Sequence, residues 1–206
     1  SKWITSADSI ETIFHPGSMR YTIRDAMLGH GLLTIEVLAL ASEEGMIVKV
    51  ETLNVNEGVK LACVYGGITG KKFSRDGDIG ADPESVFYLQ PEYCKGNKVL
   101  IEKNKFSISY SNDARRVQGM MPLAATMLVA DASGLKDPLS CLASAGKNGE
   151  SPVLISTTAL DKSGALYYQW TTQEINLTYN DLTTQYQAAK NAAQQLADRV
   201  KLHTPD

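Results

Sequence analysis

The sequence is poor in cysteine and has no long apolar run. Its three cysteines, Cys63, Cys94 and Cys141, allow at most one intrachain disulfide, and their spacing fits no zinc-ligand pattern. Buried free thiols are the simplest interpretation, with one disulfide as the alternative. The most apolar stretch contains Pro122 and Thr126 and falls short of the ~20 residues that cross a bilayer. The sequence therefore predicts neither a disulfide scaffold nor a membrane span.

Basic residues are also few and scattered. The chain has 20 Lys and Arg against 23 Asp and Glu, a net charge of −3, which gives no footprint for binding nucleic acid. The histidines, His15, His30 and His203, lie far apart, and none accompanies a nucleophile motif, so no histidine-based catalytic triad is indicated. With 206 residues, of which 43% are hydrophobic, the chain can bury the core of one large domain.

Alternation of apolar and polar residues dominates the chain from 13 to 172 and is typical of half-buried strands. We predict strands at 19–24, 32–40, 46–53, 60–65, 85–89, 98–103, 106–111, 117–122, 126–130, 152–159 and 165–172. Polar turns at 42–45 and 160–164 predict two antiparallel hairpins, the second joining the last two strands. Because strand-helix-strand alternation is absent, we predict a mainly β fold, an antiparallel β-sandwich.

The pattern changes once, at the C-terminus. From Leu182 the apolar residues recur in steps of four and three, which predicts an amphipathic α-helix of about 20 residues, capped by Asn180 or Asp181. A lone helix of this length is marginal in water, so its apolar stripe must be covered by the sandwich or by a missing partner. We therefore divide the chain into a sandwich domain, 1–178, and a C-terminal linker helix and tail, 179–206.

The segment 65–97 is too long for an ordinary connection, since loops beyond roughly 12–15 residues are uncommon and tend to be functional or disordered. Its apolar residues can hold it against a core, so we predict an ordered polar loop. Gly66 and Gly67 predict a backbone bend where a strand enters this loop. His15, Pro16 and Gly17 predict a turn before the first strand.

Acidic residues are concentrated in this loop. Asp76, Asp78, Asp82 and Glu84 begin like a calcium loop, but the EF-hand pattern fails because its twelfth position is Phe87. A looser Ca²⁺ site is one interpretation. The competing interpretation is that these aspartates form ion pairs with Arg75 and nearby lysines or cap turns in the loop.

Two further features could belong to a carbohydrate site. Glu84 and Glu92 could form the carboxylate pair of a glycoside hydrolase, which requires a separation of about 5–9.5 Å. Tyr168 and Trp170 share one face of the last strand, where aromatic rings could form a platform for sugar rings. Packing between the two sheets is the alternative interpretation of these rings. Tyr93 is a third aromatic candidate.

Several of these residues also carry a family resemblance. The stretches GKKFSRDGDIGADPE at 70–84 and PEYC at 91–94, with the closing helix and RVKLHTPD at 199–206, resemble a bacterial family, the domain of unknown function 4450. This resemblance implies the N-terminal β-sandwich, of the galactose-mutarotase-like supersandwich type, of large secreted proteins from polysaccharide-degrading gut anaerobes. There an (α/α)6 barrel similar to six-hairpin glycosidases follows, and the terminal helix is the linker. The family implies no catalytic residue within the sandwich.

We therefore expect a non-catalytic module of a glycoside hydrolase, located in the periplasm or outside the cell after removal of a signal peptide. Its expected partners are carbohydrate and the catalytic domain of the same polypeptide. We expect no cofactor, with Ca²⁺ as the exception already described. A self-contained carbohydrate-binding module and an enzyme complete in this chain are the alternatives. The candidate residues for carbohydrate binding or a domain interface are Arg75, Asp76, Asp78, Asp82, Glu92, Tyr93, Tyr168 and Trp170.

Overall fold

Two antiparallel sheets form the body of the molecule in the computed structural model, which describes residues 1–69, 89–147 and 149–199. The large sheet has eight strands in the order β1-β2-β3-β4-β11-β8-β7-β6, and the small sheet has three in the order β5-β10-β9. The strands are β1 (Ser9–His15), β2 (Ser18–Arg24), β3 (Leu32–Ala39), β4 (Gly45–Leu53), β5 (Lys60–Tyr65), β6 (Lys98–Glu102), β7 (Lys105–Tyr110), β8 (Arg115–Met120), β9 (Thr126–Asp131), β10 (Pro152–Ala159) and β11 (Gly164–Thr171). The helices are α1 (Pro138–Ser144) and α2 (Leu182–Asp198). The predicted mainly β, antiparallel fold is confirmed.

Most predicted strands occur within a few residues of their expected bounds. The hairpin of β3 and β4 and the meander of β6, β7 and β8 pair as predicted. Pro16 and Gly17 form a two-residue turn, with Gly17 at φ +81°, between β2 and a strand that the sequence analysis missed, β1. β1 was missed because Ile10, Ile13 and Phe14 do not alternate strictly. The strand predicted at 85–89 falls almost wholly outside the described residues.

The predicted hairpin between β10 and β11 is wrong. β10 pairs with β5 and β9 in the small sheet, whereas β11 pairs with β4 and β8 in the large sheet. The short connection therefore passes from one sheet to the other. Leu160 in this connection is buried in the core, and its backbone N–H donates to the carbonyl of Val59 at 2.9 Å. The hydroxyl of Thr52 donates to the carbonyl of Asp161 at 2.9 Å and fixes the far side of the connection.

The main core lies between the two sheets. Alternation places Val50, Tyr168 and Trp170 on the inner face of the large sheet, opposite Leu154 and Met127 of the small sheet. Burial of each such side chain stabilises the fold by about 1.5–3 kcal/mol. This contact accounts for the sandwich arrangement.

Helix α2 covers the outer face of the large sheet. Leu182, Tyr186 and Ala189 of the predicted stripe are buried against Leu38 and Ile47, which are themselves almost fully buried. The Tyr186 hydroxyl also donates a hydrogen bond to the Glu36 carboxylate of β3. Of the two predicted coverings of the stripe, the sandwich or a missing partner, the sandwich therefore covers its first part. Further along, Leu196 remains 49% exposed.

The start of α2 agrees in part with the prediction. Asp181 is the N-cap residue of α2, as predicted, but its carboxylate makes no capping hydrogen bond to this helix. A 3-10 turn, Tyr179–Asp181, precedes the helix, and Thr178 is the N-cap of that turn. The Asp181 carboxylate accepts hydrogen bonds from the Thr178 backbone N–H at 2.8 Å and its hydroxyl at 2.7 Å. This reciprocal capping box satisfies donors that a helix start leaves open.

The short helix α1 was not predicted. Its start carries clear signals, since Pro138 occupies the first turn and the Asp137 carboxylate accepts from the Ser140 backbone N–H at 2.9 Å. Seven residues are too few for a helical period to stand out. With the segment around Cys94, α1 covers the outer face of the small sheet, where Val153 and Cys141 are buried.

We expect Leu182→Ala to lower the free energy of unfolding by about 2–5 kcal/mol, because this side chain is fully buried between α2 and the large sheet. The matched control is Leu196→Ala in the same helix, which should cost less than about 1 kcal/mol because Leu196 is half exposed. Urea unfolding followed by circular dichroism measures both. Equal losses would contradict the packing of α2 described above.

Candidate functional site

The segment 65–97 leaves and re-enters the sandwich at one end of the molecule. It connects β5, an edge strand of the small sheet, to β6, an edge strand of the large sheet. The two described ends are tied together, because the Ile68 backbone N–H donates to the side-chain oxygen of Asn97 at 3.2 Å. Both ends of the loop are therefore anchored to the rigid sandwich. We call residues 66–69 and 89–97 the loop base.

Two glycines form the bend where the chain leaves β5, as predicted. A Cβ at Gly66 would lie 2.8 Å from Cγ1 of Val153, and a Cβ at Gly67 would lie 2.5 Å from Cδ1 of Leu89. Gly67 also has φ +82°, a conformation that L residues with a side chain rarely adopt. Because these residues lack side chains, the outgoing arm can lie this close to Val153 of β10 and to Leu89 of the returning arm.

The returning arm is anchored by a buried thiol. A 3-10 turn, Pro91–Tyr93, ends at Cys94, which is fully buried against the outer face of the small sheet. The two residues before this anchor are more accessible, since Glu92 is exposed and Tyr93 is partly exposed. Two of the predicted site residues thus lie on the rim of the loop base.

Asn97 closes the loop base and is itself buried. Its side-chain oxygen accepts from Ile68, while no described residue accepts a hydrogen bond from its Nδ2 group. The backbone N–H of Asn97 donates to the carbonyl of Cys94 at 3.0 Å. The side chain of Asn97 is therefore a structural link between the two arms, and sequence patterns gave no sign of it.

Charged groups surround the loop base. The Arg115 guanidinium donates to the carbonyl of Thr69 and lies 6.0 Å from the centre of the Tyr110 ring. On the other side, the Lys95 ammonium lies 3.7 Å from the Glu150 carboxylate, and both side chains are well exposed. Such an exposed pair contributes little to stability, so these charges are available for contact with a ligand or another domain.

Four of the eight candidate site residues lie outside the described residues: Arg75, Asp76, Asp78 and Asp82. Glu84, proposed as a partner of Glu92, lies outside them as well. The proposed Ca²⁺ site and the proposed Glu84–Glu92 pair therefore stay predictions. Within 1–69, 89–147 and 149–199, no three His, Cys, Asp or Glu side chains come together as metal ligands would. The histidines that fall in these ranges are both exposed and lie in different elements, His15 at the end of β1 and His30 in the turn before β3.

The aromatic platform is not formed by Tyr168 and Trp170. Both are buried between the sheets, with 2% and 7% exposure, and their rings stack on each other at 6.1 Å between centres. Tyr65 packs against Trp170 at 5.8 Å from the opposite sheet. The rings are core residues because alternation turns this face of β11 inward, so packing, the competing interpretation, is correct. Burial also raises the pKa of Tyr168 to about 12.

All three cysteines are free thiols, as the simplest interpretation expected. Cys94 and Cys141 are buried on the outer face of the small sheet, and Cys63 lies on its inner face. Burial raises the pKa of both Cys63 and Cys94 to about 11 and raises the pKa of Cys141. A buried, neutral thiol is a poor nucleophile, so none of the three has the properties of a catalytic cysteine.

A second group of loops meets at the opposite end of β5. There His30, Asn54, Asn56, Glu57 and Lys162 line a shallow, open depression of about 360 Å³. The depression lacks the enclosure that is usual for a small-molecule site. Substitutions in this depression can serve as controls for substitutions in the loop base.

The fold and the loop base define a β-sandwich domain that presents a long insertion between edge strands of its two sheets. The model of the family described as Domain of unknown function (DUF4450) matches residues 1–190, and the chain belongs to this family. No curated protein matches the chain. None of the helices in the described ranges has the length and hydrophobicity that crossing a bilayer requires.

We expect Gly67→Ala to destabilise the protein by about 2–3 kcal/mol, since the strain of its positive φ adds to the cost of moving the end of the Leu89 side chain, whose Cδ1 lies 2.5 Å from the added Cβ. The matched control is Gly58→Ala, which has φ +77° but no neighbouring atom within 4 Å of the added Cβ. The control should cost only about 1–2 kcal/mol from backbone strain. Thermal unfolding of the two variants measures the difference, and a Gly58→Ala loss as large as that of Gly67→Ala would contradict the close approach.

We expect the thiols of the folded protein to react slowly with iodoacetamide at pH 8. The raised pKa values of Cys63 and Cys94 lower their thiolate fractions roughly 100-fold relative to an exposed cysteine, and burial blocks access as well. In urea, all three cysteines should be alkylated rapidly. Mass spectrometry counts the modified sites, and rapid alkylation of Cys94 in the folded protein would contradict its role as a buried anchor.

Proposed function

We propose that this chain is a non-catalytic β-sandwich module of a bacterial glycoside hydrolase. In this proposal the end of the sandwich at the loop base faces a carbohydrate site or packs on an (α/α)6 catalytic domain of the same polypeptide. The supporting observation is that both arms of the 65–97 segment are anchored to one end of the sandwich. A loop carried by a rigid scaffold is a common way to position binding residues.

The anchors reduce the cost of ordering this segment. Each residue that is fixed on binding costs roughly 1–2 kcal/mol of conformational entropy. The Asn97–Ile68 hydrogen bond and the buried Cys94 already fix the two arms in the free protein. More of the free energy of a contact made at Glu92 or Tyr93 is then available for binding.

Helix α2 fits the role of a connection to a following domain. Its first turns are part of the sandwich core through Leu182 and Tyr186, so its direction is fixed. Leu196, nearer its C-terminus, leaves an apolar side chain half exposed for a second surface to cover. A module of this kind acts on polysaccharide outside the cytoplasm, and we propose a periplasmic or extracellular location after signal-peptide removal.

A self-contained carbohydrate-binding module is the second candidate. The observation that favours it is the position of Tyr93, a partly exposed residue that follows the exposed Glu92 in the loop base. An aromatic ring next to a carboxylate offers both a stacking surface and hydrogen-bond acceptors for a sugar. In this version the chain binds glycan without a catalytic domain.

The experiment compares the 206-residue chain with a longer gene product that includes a following catalytic domain. We expect no hydrolysis of plant or host glycans by the 206-residue chain. In the longer protein, Glu92→Ala or Tyr93→Ala should lower kcat/KM on polysaccharide roughly fivefold to thirtyfold, as the loss of one good contact does. Glu57→Ala, at the opposite end of the sandwich, is the matched control and should leave kcat/KM unchanged.

Hydrolysis by the 206-residue chain alone would overturn the non-catalytic assignment. Calorimetry with oligosaccharides separates the two candidates, because only the self-contained module binds them without a second domain. Loss of that binding in Tyr93→Ala would favour the second candidate. Equal kcat/KM values for the Glu92, Tyr93 and Glu57 variants of the longer protein would rule out a role for the loop base.

A further inference from the structure

The two edges of the large sheet differ in how they are protected. Edge strands commonly carry lysine, proline or a bulge, which prevents pairing with other chains. β6 follows this rule, since Lys98 and Glu102 bound it. β1 contains no lysine and no proline, and its register with β2 is unbroken from Ser9 to His15. All seven residues of β1 are exposed, and Phe14 is 70% exposed.

The backbone groups on the free edge of β1 can be identified from the turn. A two-residue turn makes His15 and Ser18 a hydrogen-bonded pair, and such pairs alternate along an antiparallel ladder. The backbone N–H and C=O groups of Ile10, Thr12 and Phe14 therefore point away from β2. No described strand pairs with this edge.

We propose that β1 pairs antiparallel with β1 of a second copy of this chain, about a two-fold axis at Thr12. In this register Thr12 pairs with Thr12, and Ile10 pairs with Phe14 of the second copy. It is the register in which all three outward-facing residues find outward-facing partners. The two large sheets then become one continuous sheet across the dimer, an association by strand addition.

The side chains of β1 are complementary to themselves in this register. Directly paired residues share a face of the sheet, so Ile10 of each copy covers the exposed ring of Phe14 of the second copy. The same contact forms twice because the axis relates the copies. Other registers pair only one or two of the three outward-facing residues, and none of them places Ile10 opposite Phe14.

Charge complementarity on the outer face favours the same register. Glu11 lies opposite Ile13 of the second copy, and Arg20 is the β2 residue paired with Ile13. Glu11 and Arg20 of the second copy are then two strand spacings apart, about 9–10 Å between backbones, a gap that these long side chains bridge. Arg20 is exposed and directed to the same face. Two such Glu–Arg pairs form in each dimer.

Sedimentation equilibrium from low to high micromolar concentration tests this proposal. The expected mass rises from 22.4 kDa towards twice that value. Phe14→Lys places a charge on the inner side of the edge and should leave a monomer. Leu100→Lys is the matched control, because Leu100 is an exposed apolar residue on β6, the opposite edge, and its replacement should leave the dimer intact.

A charge exchange tests the register separately. Glu11→Arg and Arg20→Glu should each raise the dimer Kd roughly twofold to thirtyfold, because each variant loses two exposed ion pairs. The double variant should regain the Kd of the unmodified chain. A monomer at every concentration, an assembly larger than a dimer, equal effects of the two lysine variants or no recovery in the double variant would each overturn the proposal.

Discussion

β11 lies in the middle of the large sheet and packs against a covering layer on each face. Its inner side chains, Tyr168 and Trp170, form the contact with the small sheet. On its outer side, Tyr167 packs edge-to-face on Tyr186 of α2 at 5.6 Å between ring centres. β11 also joins the strands β1–β4 to the strands β6–β8 through its pairing with β4 and β8. Removing this strand would divide the sheet and remove its contacts with both layers.

Much of this fold could be predicted from the sequence because alternation is a local property. The strands, the β3–β4 hairpin and the α2 stripe follow from side chains within a few positions of each other. The β10–β11 connection could not be predicted in this way. A short polar connection suits a hairpin equally well, and what decides is the burial of Leu160 against residues distant in sequence. Which strands pair in a sandwich is decided by tertiary contacts.

The residues of the candidate site also fall into those with a local signal in the sequence and those whose role depends on tertiary contacts. Gly66 and Gly67 marked a bend in the sequence, and the structure gives the reason in the close approach of Val153 and Leu89. Asn97 in the loop base and Arg115, which contacts it at Thr69, gave no signal, because a single polar residue acquires its role only from the residues around it. Tyr168 and Trp170 illustrate the converse, since periodicity placed them on one face without saying which face is inward.

The position of β11 late in the chain has a consequence for synthesis. Its residue Gly164 pairs with Thr52, 112 positions earlier in the chain. A ribosome adds about 5–20 residues per second, so β4 leaves the exit tunnel on the order of ten seconds before the strand that completes it. During that interval the nascent protein carries an open β4 edge lined by Ile47 and Val50. A chaperone that shields extended apolar segments would act on this protein at that stage.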